Sequence, residues 1–481
     1  MSLQESRQSA VHSGSQSPVG RRQWWRGAVI AAPLITALIA APIAVPAAAQ
    51  ERPFGTLREQ AAVQQQWLAN RLDSILPGLM RKHGVDMWLV ICREYNEDPV
   101  FWSIISPTTF ACRRRTIYVF TDRGAGRPIE RLALGGSSQG GLFTAYRDTS
   151  TQVATRGVPG VGGELVGDAQ WRLLRRVVEE RNPRVIAIDI SPLHALADGL
   201  SAGEYEQLQR ALGPDLMARA RRVETLPVEY ILSRAPAMLE TYRRMQEQAW
   251  GIINRSFSRE VITPGVTTTD DVVWWTRQQL ADIGLTTWFH TSVDVQRQGV
   301  ADPETLGPSP VIMPGDVLHI DFGITALGLN TDTQHMAYVP RAGETEVPAG
   351  LRAALAASNR LQDIVLEELR AGRTGNQILT ASLAGMRQAG ITGTIYSHGI
   401  GDQGHGSVTI GLWDRQEDIP GRGDVTVLPH SWYSIELEAR TAVSEWAGQV
   451  LKSSQEEDAA VGADGVARWV LRRQTDWWVV R

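Results

Sequence analysis

Four carboxylates and one histidine, set in otherwise apolar strand-like text over the last third of the chain, constrain the fold most. Asp321 closes Val317-Leu318-His319-Ile320-Asp321 before Phe322-Gly323, and Asp332 follows eleven residues later in Thr331-Asp332-Thr333-Gln334-His335. A hairpin at that spacing sets two carboxylates side by side. His398 opens His398-Gly399-Ile400-Gly401, whose glycines let the backbone turn sharply or approach a ligand closely. Glu436 lies in Tyr433-Ser434-Ile435-Glu436-Leu437-Glu438, and Glu456 stands twenty residues downstream, with Glu457 its rival in the neighbouring register. Singly, each has a bland reading: Asp321 ends a strand, Asp332 makes a turn, His398 sits in a loop and the glutamates face solvent. Together they form an ordered set of like charges that repel unless protonated or neutralised, and divalent cations supply that neutralisation. The only cysteines, Cys92 and Cys112, lack the spacing of a thiolate site, so a metal would be held by oxygen and nitrogen.

The rest of the 481 residues reads as two domains behind a leader. Arg21-Arg22 and Arg26 precede a mostly apolar stretch, 28–45, that ends in small residues suited to cleavage after Ala49. This predicts an export signal over 1–49, resembling a twin-arginine leader, and places the mature chain in a bacterial periplasm or outside the cell. An uncleaved anchor is the alternative, although Pro33, Thr36 and Pro42 interrupt the stretch. No comparable stretch follows, so no stable membrane domain is expected after cleavage. Residues 50–233 alternate helical text (57–80, 171–180) with short apolar strands (87–91, 116–120, 185–189), an α/β domain in three layers. Gly-rich 135–141 and 157–163 are loops without the Gly-Lys-Ser/Thr ending of a phosphate loop. Residues 234–481 form an α+β domain with helices over 238–256, 349–369 and 375–387. A further helix reaches Ala281, capped within Thr269-Asp270-Asp271.

Lys+Arg 48 against Asp+Glu 52 gives a net charge of -4, which argues against a nucleic-acid partner; Arg113-Arg114-Arg115 reads as a solvated or ion-paired feature. The two cysteines could pair in an oxidising compartment or remain buried thiols. The polar segment 93–98 reads either as a solvated loop or as a substrate rim or dimer contact. Trp477 and Trp478 suit packing, including against another subunit.

From about Arg234 to the C-terminus the ordered motifs strongly resemble the pita-bread metallopeptidase superfamily of methionine aminopeptidase, aminopeptidase P and prolidase. The first family aspartate falls on Asp321, the second on Asp332, the metal histidine on His398, and the two glutamates on Glu436 and Glu456. The resemblance implies two divalent ions, with manganese preferred and cobalt, zinc or iron as alternatives. Asp321 would bind one ion terminally, Asp332 and Glu456 would bridge, and His398 and Glu436 would complete the other shell. Such a pair supplies hydroxide near neutral pH and stabilises oxygen charge on a peptide carbonyl. Glu436 would orient or deprotonate the water, and His405, seven residues after His398, would donate to substrate or developing oxygen charge. His335 would order the surroundings of the site instead of binding metal.

The implied activity is a metal-dependent exopeptidase acting on short peptides, of the Xaa-Pro aminopeptidase kind, in a homodimer with a creatinase-like N-terminal domain. Its alternatives are a creatinase-like amidinohydrolase and a non-catalytic peptide-binding protein that keeps a metal site. Four departures bear on substrate. Thr394 stands where aminopeptidase P has a histidine, Ser454 where it has an arginine, and Leu437-Glu438 where Pro-Gly usually follows the glutamate. The substrate-side histidine has no clear counterpart; His290 in Trp288-Phe289-His290 is the nearest candidate.

Overall fold

The computed structural model describes residues 52–112, 115–146 and 169–481. The leader with its cleavage site, Arg113-Arg114 and the glycine-rich run 157–163 lie outside the described residues.

The N-terminal region opens with α1 (Leu57–Asn70), fixed by a capping box in which the Glu59 carboxylate accepts the Thr56 N–H at 2.7 Å and Thr56 Oγ1 accepts the Glu59 N–H at 3.3 Å. Where the sequence predicts one helix over 57–80, a π-helical turn at Arg71–Ile75 leads into α2 (Leu76–Lys82). Pro77 has no N–H to return to residue 73, and the ladder widens just ahead of it. Then come β1 (Met87–Arg93), α3 (Phe101–Ile104), β2 (Arg115–Thr121), β3 (Glu130–Leu134), β4 (Thr144–Tyr146), α4 (Ala169–Arg181), β5 (Ile186–Ile188), α5 (Ala202–Met217), β6 (Ala220–Arg222) and α6 (Thr225–Leu232). The strands form one sheet in the order β4-β3-β2-β1-β5-β6.

Strand alternation explains the layers. Trp88, Val90, Cys92, Tyr118 and Phe120 pack under the α1–α2 arm and α6, whereas Met87, Leu89, Ile91, Ile117 and Val119 pack under α4 and α5. This is the expected three-layer α/β arrangement. Cys92 and Cys112 are both buried and free. The 93–98 segment is not simply solvated, since Asp98 at its end is fully buried.

The second region begins with α7 (Met238–Ser256) and α8 (Thr269–Asp282). The cap of α8 is Thr268, one residue earlier than the sequence suggests: its hydroxyl accepts the Asp271 N–H while Asp271 accepts the Thr268 N–H. Strands β7 (Ser292–Gln296), β8 (Val317–Asp321), β9 (Thr325–Ala326), β10 (Leu329–Asn330) and β11 (Gln334–Tyr338) lead to α9 (Ala349–Glu368) and α10 (Gly375–Gln388). After them come β12 (Thr392–Ile395), β13 (Ser397–Ile400), β14 (Gly406–Ile410), β15 (Trp432–Ala442), β16 (Val450–Val461), β17 (Ala467–Trp469) and β18 (Trp478–Val479).

Among these strands β9 and β10 pair only with each other, and the rest build a ten-stranded sheet with the path β14-β13-β15-β16-β11-β8-β7, β12 pairing with β15, β17 with β16 and β18 with β11. Along β15 the odd residues Tyr433, Ile435 and Leu437 join Leu361, Val365, Ile378 and Leu379 of α9 and α10 in one apolar cluster. The even residues Ser434, Glu436 and Glu438 therefore share the opposite face. At one end of that face α7 closes down, with Tyr242 stacked on Trp432 at 4.1 Å. Trp477 and Trp478 pack within their own chain, the first donating to Leu351 O at 3.0 Å and the second to His335 Nδ1 at 3.1 Å.

The described residues from 52 onward form one compact unit. A buried charge cluster ties its two sheets together: Asp402, four residues past His398, accepts from Arg71 Nη1 at 2.7 Å and Ser103 Oγ at 2.7 Å, with Arg234 at 3.5 Å. Burial pushes the Asp402 carboxyl up, but Arg71 and Arg234 outweigh it and hold it below the usual range. No helix among the described residues is long and apolar enough to cross a membrane.

Candidate metal centre

Antiparallel register brings the five predicted ligands into one place. Glu436 lies opposite Glu456, Glu456 opposite Gln334, and Gln334 opposite Asp321. Residues paired directly across strands project from the same face, so these side chains form a row across the sheet. Asp332 enters from the turn ahead of β11, and His398 from β13, where a register shift between His398 and Gly399 bends the strand at the histidine. Gly399 cannot carry a side chain, because a Cβ there would lie 2.2 Å from Ser407 O.

Three overlapping donor groups result, each with its ligand atoms within 4.8 Å of one another: Asp321, Asp332 and Glu456; His398, Glu436 and Glu456; Asp332, His398 and His405. Glu456 belongs to the first two and Asp332 to the first and third. That sharing suits bridging carboxylates between two ions.

The donor atoms also have the right polarity. His398 Nδ1–H donates to Gly399 O at 3.0 Å, which leaves the Nε2 lone pair facing the carboxylates. Nε2 is buried with no hydrogen-bond partner, 3.5 Å from Glu456 Oε1 and 3.8 Å from Glu436 Oε2. Those separations are too long for good hydrogen bonds and leave room for a cation. Asp321 Oδ1 is likewise buried and unpartnered.

Electrostatics points the same way. Burial and the Glu456 charge push Asp321 up to about 7. Burial, then Glu456 and Asp321, push Asp332 and Glu436 well above the carboxylate range. A cation relieves all of these at once. The residues present therefore fit two divalent ions.

Glu456, not Glu457, faces this site. Glu457 is on the other side of β16, where it accepts from Trp250 Nε1 at 3.2 Å and from the Gln474 N–H at 3.2 Å. His335 Nε2 lies 2.7 Å from it. Trp478 Nε1 can only donate, so His335 Nδ1 accepts and Nε2 carries the proton that Glu457 receives. Burial, with Arg472 nearby, holds His335 down at about 3. Both ring nitrogens are engaged, and His335 lies on the face of the sheet away from the ligands.

His405 is exposed at the rim, its ring perpendicular to that of His398 at 4.7 Å and to Trp288 at 5.0 Å. Burial and His398 lower its proton affinity, keeping a neutral ring beside the site. Trp288 is seated tightly: a Cβ on Gly404 would lie 2.3 Å from its ring. His290 turns away to the surface, 3.2 Å from Arg277 and stacked edge-on to Trp274. The aromatic pair Trp288-Phe289, not His290, is the part of that segment beside the site.

The sequence reading missed Gln334, His319 and Ser434. Gln334 Nε2 donates to Glu436 Oε1 at 2.5 Å and Glu456 Oε2 at 2.8 Å, His319 Nε2 lies 3.0 Å from Gln334 Oε1, and Ser434 Oγ donates to Glu456 Oε1 at 2.5 Å. Each lies two residues from a ligand, and period-two alternation was the available signal. The departures noted above also line up. Thr394 pairs with Glu438 and Glu438 with Ser454, one row beyond the glutamates. There Thr394 Oγ1 is buried without a partner, and Glu438 accepts from Arg440 Nε at 2.7 Å.

Comparison with known proteins agrees with this geometry. Residues 240–451 match the model of metallopeptidase family M24. Over that matched region, which holds four of the five proposed ligands, the chain is similar to the M24 metallopeptidases. An X-Pro aminopeptidase from Thermotoga maritima shares the fold at 16% identity and a TM-score of 0.58, covering 84% of this chain and 100% of that one. An Xaa-Pro dipeptidase from Bacillus anthracis gives 15% and 0.55, with 87% and 100% covered. The N-terminal domain of the FACT complex subunit SPT16 from chickpea gives 12% and 0.53, with 87% and 99% covered. No curated protein sequence matches.

Proposed function

We propose that the protein is an exported, metal-dependent exopeptidase that removes the N-terminal residue of short Xaa-Pro peptides, working with two divalent ions, manganese by preference. The observation that carries this reading is the His398 imidazole, whose Nδ1 proton is committed to Gly399 O while its unpartnered Nε2 faces Glu436 and Glu456. When bound, the ions supply Lewis acidity and an activated water.

Asp321, Asp332 and Glu456 would hold one ion, and His398 and Glu436 the other, with Asp332 and Glu456 shared between them. Glu436, whose Oε1 is held by Gln334, would take the water's proton at Oε2. Neutral His405 donates its ring N–H to the carbonyl oxygen as charge develops. Trp288 and Phe289 offer an apolar wall to the substrate ring or side chain. Xaa-Pro cleavage is supported by the names of the neighbours sharing the fold and by His405; Thr394 and Ser454 weigh against a strict aminopeptidase P pattern.

The test is hydrolysis of matched Xaa-Pro and non-proline peptides by the mature chain, after chelation and restoration with manganese, cobalt or zinc, read by mass. Release of the N-terminal residue from Xaa-Pro peptides alone is the expected outcome. Metal-dependent cleavage elsewhere would revise the substrate. Two bound ions with no cleavage of any peptide would overturn the reading in favour of peptide binding.

A further inference from the structure

A chain of hydrogen-bonding groups leads from solvent into the metal row, and none of its members is a proposed ligand. Asp294 on β7 is exposed, with Oδ2 3.3 Å from His319 Nδ1. His319, half-buried on β8, has Nε2 3.0 Å from Gln334 Oε1. Gln334, buried on β11, reaches both glutamates with its amide nitrogen.

The polarity of this chain is fixed by its inner end. With the ions bound both carboxylates lack a proton and only accept, so the group reaching Glu436 and Glu456 is the amide NH2, and Gln334 Oε1 points outward. An outward carbonyl needs a donor, and His319 Nε2–H is the group within reach. Asp294 Oδ2 and Gln334 Oε1 are both acceptors, so the two contacts are made together when both ring nitrogens carry hydrogen.

The oxygens are also divided. Gln334 takes Oε1 of Glu436 and Oε2 of Glu456, whereas Oε2 of Glu436 and Oε1 of Glu456 are the atoms nearest His398 Nε2. One amide thus spans both carboxylates from the side away from the histidine. A free carboxylate rotates about its last torsion, a broad two-fold well. With both held by a single planar group, their inner oxygens are presented to the ion together.

We propose that Gln334 is a positioning residue for the dinuclear centre, orienting Glu436 and Glu456 through one amide that His319, steadied by Asp294, holds in the correct flip. This rests on the dinuclear reading above, and it adds residues that the ligand pattern does not contain. Groups that orient metal ligands typically change affinity or activity by about 10–100-fold when lost.

The experiment titrates the chelator-stripped full chain with Mn2+ by calorimetry, alongside kcat and KM for peptide hydrolysis. Gln334→Met keeps the length and removes the amide; it should weaken the ion held by Glu436 and His398 by about 10–100-fold and lower kcat more than it raises KM. Gln334→Asn, one methylene shorter, should retain part of the affinity and keeps the test readable if the methionine variant does not fold. His319→Phe should weaken binding less, and in the Gln334→Met background should add nothing, because it acts only through the amide. Unchanged affinity in Gln334→Met, or a full additional loss in the double variant, would overturn the proposal. These arms are separable from the exopeptidase reading: a wild-type chain that binds two ions yet cleaves no peptide sinks that reading while the calorimetry still judges Gln334.

Discussion

Carboxylates are buried together in both regions, and the surroundings differ. In the N-terminal region Asp98, in the loop before α3, and Asp189, just past β5, are fully or almost fully buried, and each shifts the other's proton affinity as a neighbour. Asp98 Oδ1 accepts the Val100 N–H and Asp189 Oδ1 accepts Trp88 Nε1, which leaves Oδ2 of each without a donor. Among the described residues they belong to no group that could hold a metal, and Gly199 packs directly on Asp98, where a Cβ would lie 2.0 Å from Oδ2. A proton shared between the two acids satisfies that arrangement. In the second sheet Asp321, Asp332, Glu436 and Glu456 converge with an imidazole whose lone pair is free and whose distances leave a gap. The number of buried acids does not distinguish a structural pair from a metal centre. The unpartnered neutral donor and the room beside it do.

The largest effect should come from removing a shared ligand. Glu456→Gln and Asp332→Asn are each expected to lose at least one ion and to lower peptide hydrolysis by about 10³-fold or more. Asp98→Asn should leave both ion count and turnover within about two-fold, because an amide supplies the donor that the shared proton supplies. Metal content by mass spectrometry and initial rates on the same preparations decide it. Equal loss from both kinds of substitution would mean that the two clusters are not different in kind.

His405→Ala comes next. The ring touches His398 but belongs only to the third donor group, at the exposed rim. Removing one aligned donor to developing charge is expected to reduce kcat about 10²-fold while calorimetry still finds two ions. Loss of an ion with the ring would move His405 into the ligand set.

Much of this site was legible in the sequence because its ligands are polar residues in apolar strands at fixed spacings. Asp321, Glu436 and Glu456 each interrupt a buried strand, and the structure places them in one row. What the spacing could not give was the pairing of β11 with β16, which sets Gln334 opposite Glu456 with its amide in reach of both glutamates, or the face on which Glu457 falls relative to Glu456. A single-residue slip exchanges the two faces of a strand, and only cross-strand partners settle it. His290 misled for a related reason: sequence order marks the segment, while the turn at Trp288-Phe289 decides which side chain points inward. The π-helical turn near Pro77 and the cap at Thr268 are displacements of a residue or a few, set by local hydrogen bonding within correctly placed helices.

The N-terminal pair makes its own prediction on pH. Burial pushes Asp98 up to about 7, and Asp189 well above its ordinary value. In the unfolded chain an aspartate ionises near pH ~4, so between about 4 and 7 the folded state binds more protons than the unfolded state. The stability contributed by the protonated pair is therefore fully present below about 4 and declines as pH rises toward about 7. Urea unfolding of the metal-loaded chain at several pH values should show that decline, and Asp98→Asn should flatten it. A slope unchanged by the substitution would assign the proton elsewhere.

Glu457→Gln should disturb the metal centre least, and it gives the sharpest contrast because it neighbours Glu456 on the same strand. Glu457 receives three donors, from His335, Trp250 and Gln474, all on the side of β16 away from the ligands. A glutamine cannot accept with its nitrogen, so it sets an NH2 against one of those N–H groups and should cost about 1–3 kcal/mol of stability. Ion stoichiometry should remain at two and turnover should fall no more than a few-fold, because no ligand atom moves to the other face. Loss of an ion from Glu457→Gln with retention in Glu456→Gln would reverse the register of β16. That result would also detach Gln334 from the centre, since its two hydrogen bonds depend on Glu436 and Glu456 sharing one face.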